Sequence, residues 1–346
     1  MIKEKTLTYL KRQLILLALL LTAIGSQTVV QASTRSWKSW FIEQYFWLKR
    51  DKSYYAEQDE NTFYNYVKSA GEKSNQGFNL TQNEVNGELK TEHRDNMQVH
   101  SWNEKPNKSS DQKVILYLHG GSYLNNPTSY HIDMLKTLST SLDAKIVLPI
   151  YPKAPTYTYD VAMPRLVSLY QDILKSTNNN ANNITIMGDS AGGGLALGLA
   201  LALKTENIKQ PKDIILLSPW LDVTLSNKDI PNYESSDPIL SAWGLRIVGD
   251  IWARRGENNT KHPYVSPIYG DTSNLAPITM FVGTHEIFYP DIKKFDDMLE
   301  QKGHKHQLFV GEKMNHVYPI YPIEEAKTAQ YQIIDTIKKE YEPQKQ

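Results

Sequence analysis

The segment Ile184-Thr185-Ile186-Met187-Gly188-Asp189-Ser190-Ala191-Gly192 decides the fold, because it joins a strand pattern to a helix pattern through a tight turn. Its first four residues form a short apolar run, which is typical of a strand buried on both faces. Residues 192–203 are rich in glycine, alanine and leucine and predict a buried helix that lies close to a sheet. Glycine on both sides of the turn removes side chains that would clash, so the strained backbone presents the Ser190 hydroxyl to a substrate.

Similar apolar runs recur along the chain and are separated by stretches with helical periodicity. Strands that alternate with helices predict a mostly parallel sheet covered by helices on both faces. The predicted fold class is therefore α/β. Besides residues 184–187, the predicted core strands are Val114 to Leu118, Lys145 to Pro149, Ile214 to Leu217, Ile278 to Val282 and Gln307 to Val310.

Residues 33–83 are predicted to form an N-terminal helical cap segment. Aromatic and apolar side chains three and four residues apart predict one apolar helix face that packs over the rest of the protein. A membrane-surface helix is the alternative that this pattern leaves open. The face consists of Trp37, Trp40, Phe41, Tyr45 and Leu48.

Residues 84–346 are predicted to form the catalytic domain. It opens with two antiparallel strands, at residues 85–89 and 97–102, and closes with a helix over residues 323–341. The strand–helix alternation breaks at about residues 222–256, where a polar loop and a helix at 242–252 predict a second part of the cap.

Residues 1–32 combine four basic residues with an apolar stretch from Leu14 to Ala23. This pattern predicts a signal peptide cleaved after Ala32, or, as the alternative, an uncleaved N-terminal anchor. The apolar stretch is shorter than the roughly 20 residues that span a bilayer. Either interpretation predicts a secreted or cell-envelope protein, with membrane association through the N-terminal segment only.

Composition excludes several function classes. Basic and acidic residues number 38 each, so the charge gives no footprint for nucleic acid. The chain has no cysteine, which rules out disulfides, thiolate metal sites and a cysteine nucleophile. His304 and His306 have no carboxylate or third histidine at a suitable spacing, so we expect no metal. We also expect no cofactor, because hydrolysis through a serine nucleophile needs none.

The segment His119-Gly120-Gly121-Ser122 follows a predicted strand and predicts an oxyanion hole. Paired glycines let the backbone approach a substrate closely, so the N–H groups of Gly120 and Gly121 can join that of Ala191 around a developing negative oxygen. His119 is expected to orient this loop and not to act as a base. A phosphate-binding loop is set aside because the Lys and Ser/Thr that would follow are missing.

An acid and a base are expected later in the chain, in that order after the serine. His316 follows the run 307–310 and is the predicted general base. Glu286 stands nearer to the end of its predicted strand than Asp291 does, so Glu286 is the predicted acid and Asp291 the alternative.

Together these motifs resemble the hormone-sensitive-lipase-like family of α/β-hydrolase esterases over about residues 84 to 340. Three further segments strengthen the resemblance: Tyr151 to Pro155, Ser236 to Ser241 and Ser266-Pro267. One departure is Glu286, because the family usually has aspartate there. The resemblance implies the α/β-hydrolase fold and a cap built from the N-terminal segment and the insertion.

The function expected from the residues and the resemblance is hydrolysis of short-acyl, acetyl-like carboxylic esters through an acyl-enzyme on Ser190. Tyr123 and Asp189 are expected to line the substrate pocket, with Tyr123 and the cap aromatics limiting acyl size. A small-molecule or glycan-linked ester is the expected partner. An amidase, formamidase or peptidase would use the same serine site, and a non-catalytic hydrolase-fold binding module is the alternative from another class.

Overall fold

The centre of the protein is a twisted sheet with the strand order β1-β2-β4-β3-β5-β6-β7-β8. We describe it from a computed structural model, which covers residues 35–95, 97–105 and 112–339. The strands are β1 (Leu89–Arg94), β2 (Met97–Trp102), β3 (Val114–Leu118), β4 (Lys145–Ile150), β5 (Ile184–Asp189), β6 (Asp213–Leu217), β7 (Ile278–His285) and β8 (His306–Asn315).

Strands β3 to β8 pair in parallel, whereas β1 and β2 form an antiparallel edge on β4. The predicted mostly parallel α/β sheet is confirmed. The edge differs from the prediction, because residues 85–88 are not a strand and pairing begins where Leu89 meets Trp102. Strand β8 is also longer than predicted and reaches Asn315, because pairing with β7 resumes after an irregularity at Gly283 to His285.

The helices fill the connections between these strands and flank them at both chain ends. They are α1 (Trp37–Lys49), α2 (Glu60–Ser74), α3 (Ser129–Leu142), α4 (Tyr159–Ser176), α5 (Ser190–Thr205), α6 (Ile230–Glu234), α7 (Ala242–Trp252), α8 (Tyr289–Gln301) and α9 (Glu324–Lys338). Helix α7 has the bounds predicted for the helix of the insertion.

Two apolar cores lie on opposite faces of the sheet, since successive side chains of a strand point to opposite faces. In β3, Leu116 belongs to the core that includes α4, α5 and α8, whereas Ile115 belongs to the core that includes α3 and α9. Residues 190–203 of α5 are all buried, as the small-residue pattern predicts. Because helices cover both faces of the sheet, they hold in place the strand ends that the predicted site residues follow.

Glycine is required where β3, β5 and α5 meet. A side chain at Gly192 would overlap the carbonyl oxygens of Leu118 and His119, and one at Gly188 would overlap the carbonyl oxygen of Gly192. The turn between β5 and α5 is thus tight enough to force Ser190 to φ 52°, a conformation that few residues other than glycine adopt.

Helix α1 presents a different face to the protein than its aromatic pattern predicts. Trp37 is 68% exposed and Leu48 is 82% exposed, whereas Ser39, Glu43 and Phe46 are buried. Polar contacts set this orientation, because the buried Glu43 carboxylate is bonded to Arg35 and to residues of β7 and β8. The predicted packing of the aromatic face over the protein is therefore wrong.

Helix α2 contacts the insertion, whereas α1 packs elsewhere. Phe63 of α2 meets Trp243 of α7 edge to face, with ring centroids 5.2 Å apart. Phe46 of α1 packs on Tyr321, and Ser36 at the start of α1 bonds to Glu325 of α9. The two helices of the predicted cap segment thus lie against different parts of the catalytic domain.

The predicted signal or anchor segment at residues 1–32 lies outside the described residues. Among the helices of residues 35–95, 97–105 and 112–339, none is both long and apolar enough to cross a bilayer.

Candidate active site

Three strand ends bring together the residues predicted as nucleophile, acid and base. Ser190 follows β5, Glu286 follows β7 and His316 follows β8. Parallel strands direct their carboxyl ends to one edge of the sheet, where the loops of this class of fold carry function. All three residues are buried, with relative exposures of 6%, 0% and 4%.

A chain of two hydrogen bonds links these side chains. His316 Nε2 lies 2.8 Å from the Ser190 Oγ, and His316 Nδ1 lies 2.6 Å from the Glu286 Oε2. An ionised carboxylate only accepts hydrogen bonds, so we assign the imidazole proton to Nδ1. In that tautomer, Nε2 is free to accept the proton of the Ser190 hydroxyl.

The second oxygen of Glu286 is also held. Its Oε1 accepts hydrogen bonds from the Ser218 Oγ, at 2.7 Å, and from the Gly283 backbone N–H, at 2.7 Å. Ser218 in turn accepts a bond from the Val317 N–H, next to the histidine. Sequence reasoning missed Ser218, although its position directly after β6 is the same kind of signal that identified the other site residues.

The charges around His316 favour its protonated form. Burial alone would lower the pKa of this imidazole, but the adjacent Glu286 charge and hydrogen bond raise it, and the Asp237 and Asp189 carboxylates add to the effect. The net result is a pKa of His316 above its ordinary value of 6.5. The site is thus suited to stabilise an imidazolium.

The glycine loop lies beside Ser190, but the hydrogen bonds differ from the prediction. The Gly120 N–H donates to the Asp189 Oδ1 at 2.8 Å, so it is not free for a substrate oxygen. Within the described part of the chain, the N–H groups of Gly121 and Ala191 have no acceptor. This bond does not fit the predicted role of Gly120 as one of three donors to a substrate oxygen, whereas the N–H groups of Gly121 and Ala191 are not occupied in this way.

Asp189 is bonded to this loop, and its near-complete burial does not fit the predicted role in lining a substrate pocket. It is 2% exposed and accepts bonds from the Tyr117 hydroxyl, the Gly120 N–H and the His131 Nε2. Burial alone would raise the pKa of Asp189, but the nearby His131 and these bonds lower it. The carboxylate thus stays ionised beneath the loop.

His119 and Tyr123 lie before and after the two glycines in the chain, and both are fully buried. His119 stacks on Tyr151 and bonds through Nδ1 to the Gly120 carbonyl, so it orients the loop, whereas the imidazole bonded to Ser190 is that of His316. Burial holds the pKa of His119 well below 6.5. Tyr123 is fully buried between Trp252 and Trp220, with ring centroids at 4.3 and 5.5 Å.

Asp291, the alternative acid, is not brought to the histidine. Its Oδ1 accepts a bond from Asn227 at 2.9 Å, and burial raises its pKa to about 6. The residue lies in the first turn of α8, two residues after the helix begins. Among residues 35–95, 97–105 and 112–339, no cluster of three or more His, Cys, Asp or Glu forms a metal site.

The sequence profile of the α/β hydrolase fold family matches residues 115–320, which include all three residues of the hydrogen-bonded chain. The chain belongs to the α/β-hydrolase fold family. The resemblance predicted from the motifs is thereby confirmed.

Relatives of this α/β-hydrolase include proteins named as an esterase and as an acetyl-hydrolase. An esterase of Acinetobacter venetianus is 30% identical over 56% of this chain and 63% of its own length. An acetyl-hydrolase of Streptomyces hygroscopicus is 26% identical over 56% of this chain and 64% of its own length. The chain thus spans less than two thirds of the curated relatives that it matches.

Solved structures agree with the fold of this α/β-hydrolase. A candidate esterase from Staphylococcus aureus has a TM-score of 0.75 and 30% identity, over 84% of this chain and 96% of the other. An esterase of the bacterial hormone-sensitive lipase family has a TM-score of 0.71, over 88% and 98% of the two chains. At 21% identity, the second comparison supports the fold alone.

Proposed function

We propose that the protein is a serine hydrolase of carboxylic esters, with Ser190 as nucleophile, His316 as general base and Glu286 as the acid that orients it. The observation that carries the proposal is the buried hydrogen-bonded chain from Ser190 through His316 to Glu286. The relatives named as esterase and acetyl-hydrolase support the choice of an ester bond.

In the proposed reaction, His316 Nε2 takes the proton of the Ser190 hydroxyl while Oγ attacks the ester carbonyl carbon. The resulting imidazolium is stabilised by Glu286 and returns the proton to the departing alcohol, which leaves an acyl-enzyme. A water molecule then gives a proton to the same nitrogen and attacks the acyl carbon. Collapse of the second intermediate returns the proton to Ser190 and releases the acid.

The negative oxygen of both intermediates is proposed to bind the N–H groups of Gly121 and Ala191. Ala191 lies in the first turn of α5, whose positive dipole end adds to the stabilisation. Loss of one such donor costs roughly 3 kcal/mol of transition-state stabilisation. The strain at Ser190 keeps its Oγ next to these donors.

We propose short acyl groups as the preferred substrates. Four aromatic rings and His316 form a buried stack beside the nucleophile: Trp252, Tyr123, Trp220 and Phe288, with Phe288 edge-on to His316. Because these rings fill that side of the site, they would restrict a long acyl chain there. Acetyl groups on small molecules or glycans fit this restriction.

Paired substrates test the ester assignment. The full chain is assayed with an acetyl ester and with the matched acetanilide. The two substrates share the acetyl group and the ring substituent and differ only in the ester or amide bond, so their kcat/KM values can be compared. We expect a clear preference for the ester. A preference for the amide would favour an amidase, and binding without turnover of either would favour a non-catalytic binding module.

We also propose that residues 1–32 direct export, as a signal peptide or an N-terminal anchor. The basic residues before the apolar stretch 14–23 support this. Fractionation of the native host with N-terminal sequencing tests it. A start near Ser33 outside the membrane indicates cleavage, an intact terminus in the membrane indicates an anchor, and an intact terminus in the cytosol contradicts export.

A further inference from the structure

Glu43 of α1 is a buried acid that receives three hydrogen bonds on a single oxygen. Its Oε2 accepts from an Arg35 guanidinium nitrogen at 2.9 Å, from the His285 Nδ1 at 2.8 Å and from the Asn315 Nδ2 at 2.9 Å. Only 9% of the Glu43 side chain is exposed. A buried carboxylate with this many donors is a fixed structural element.

Two of these donors are the immediate neighbours of the proposed acid and base. His285 precedes Glu286 and Asn315 precedes His316, and the two residues pair across β7 and β8. The pairing lies just past the irregularity at Gly283 to His285, where the ladder itself holds the strands less regularly. One oxygen of Glu43 thus ties together the two points from which the acid and the base leave the sheet.

The charge of Glu43 is maintained by its partners. Burial alone would raise the pKa of Glu43, but the hydrogen bonds from Arg35, His285 and Asn315 and the Arg35 charge outweigh it and lower the pKa. Arg35 also binds the hydroxyl and carbonyl of Ser39, one turn before Glu43. The carboxylate therefore holds its donors as an anion.

The rest of α1 is anchored separately. Glu325 of α9 accepts bonds from the Ser36 N–H at 2.6 Å and from its hydroxyl at 2.8 Å. Phe46 packs on Tyr321 with ring centroids 5.1 Å apart. Loss of Glu43 alone would therefore leave contacts that keep α1 on the protein. Glu325 offers a matched control, because its bonds to Ser36 involve neither His285 nor Asn315.

We propose that Glu43 is a positioning residue that sets the distance between Glu286 and His316 by tying His285 to Asn315. The inference rests on the proposed function in that these two side chains are taken as acid and base. It gives α1 a role in catalysis that the aromatic pattern of the helix does not suggest. A displacement of about 1 Å in such a pair lowers turnover by up to about 10²-fold.

The test compares the full chain with Glu43→Gln and Glu325→Gln, each shown to remain folded at the assay temperature by circular dichroism. For Glu43→Gln we expect kcat on p-nitrophenyl acetate to fall by about tenfold to 10²-fold, with KM within about twofold of the wild-type value. Glu325→Gln should keep both constants within about twofold. An unchanged kcat in folded Glu43→Gln, or an equal fall in Glu325→Gln, would overturn the proposal.

A second readout does not depend on ester turnover. The His316 Nδ1 proton that bonds Glu286 is observed by NMR of the full chain labelled with ¹⁵N-histidine, and its signal is assigned by its loss in His316→Gln. We expect this signal to shift or broaden in Glu43→Gln and to stay in place in Glu325→Gln. If the wild type cleaves no ester, a shifted signal still supports the positioning role while the proposed function fails; an unmoved signal overturns the role.

Double substitution separates a shared action from two independent ones. If Glu43 acts through Asn315, the variant Glu43→Gln with Asn315→Ala should be no slower than the slower single variant, because contacting residues couple. If the two rate losses instead multiply, the tie between these residues plays no part in positioning, and the proposal is wrong.

Discussion

The Nε2 atom of His316 lies 2.8 Å from the Oγ of Ser190, although 126 residues separate them in the chain. The contact exists because β5, β7 and β8 end at the same edge of a parallel sheet, and each is followed at once by a site residue. Ser218, which follows β6 at the same edge of the sheet, donates a hydrogen bond to Glu286. The geometry thus follows from strand order more than from any local sequence.

The identity of the acid is tested by two matched amide substitutions. Glu286→Gln removes the charge that holds Nδ1 of His316, so kcat should fall by roughly 10⁴-fold. Asp291→Asn should change kcat by less than about threefold, because Asp291 bonds Asn227 and not the histidine. Steady-state kinetics on p-nitrophenyl acetate measures both, and the opposite ranking would assign the acid to Asp291.

The pH profile should report the raised pKa of His316. The base is active only when neutral, so activity is lost as pH falls through this pKa. Because neighbouring carboxylates raise the pKa, the acidic half-maximum of kcat/KM should lie above pH 6.5. Residual activity of Glu286→Gln should have its half-maximum at lower pH, since the largest raising influence is gone. A wild-type half-maximum below pH 6.5 would contradict this electrostatic account.

Asp189 should matter through the loop that it holds. Asp189→Asn places an amide among the donors Tyr117, Gly120 and His131, which should cost about 1–3 kcal/mol of unfolding free energy and lower kcat with little change in KM. Tyr117→Phe removes one donor only and should have the smaller effect on both. Urea unfolding and steady-state kinetics give the two quantities. A rise in KM alone would instead support the predicted position of Asp189 in the substrate pocket.

The acyl-length preference should depend on the aromatic stack. Trp252→Ala removes the ring that faces Tyr123 and should raise the ratio of octanoate to acetate kcat/KM, at a cost of about 3–5 kcal/mol in stability. Trp102→Ala is the matched control, because Trp102 is equally buried but belongs to the core on the other face of the sheet. If both variants keep the wild-type ratio, the stack does not limit the acyl chain.

The sheet and the candidate site could be predicted from sequence where one local pattern dictates one local structure. The run at residues 114–118 is a strand with those bounds, and the helix predicted at 242–252 is α7. The turn that carries Ser190 could be predicted for the same reason, because its closely packed backbone requires glycine at Gly188 and Gly192. Such signals depend only on neighbours within a few residues.

The remaining features depend on partners far along the chain. The aromatic spacing of α1 is real, but the buried face is set by Glu43 and its bonds to residues more than 240 positions away. Likewise, the two glycines after His119 look equivalent in sequence, and only the Asp189 carboxylate makes Gly120 a structural donor. Hydrogen bonds between side chains and distant parts of the chain produce no periodic pattern in the sequence.

The central claim, that Ser190 is the nucleophile of an ester hydrolase, is tested most directly by comparing the full chain with Ser190→Ala on p-nitrophenyl esters from acetate to palmitate. We predict that the wild type cleaves the short esters and that the substitution lowers kcat by roughly 10⁴- to 10⁶-fold, to the buffer background. Equal rates for the two proteins, whether both active or both inert, would contradict the account.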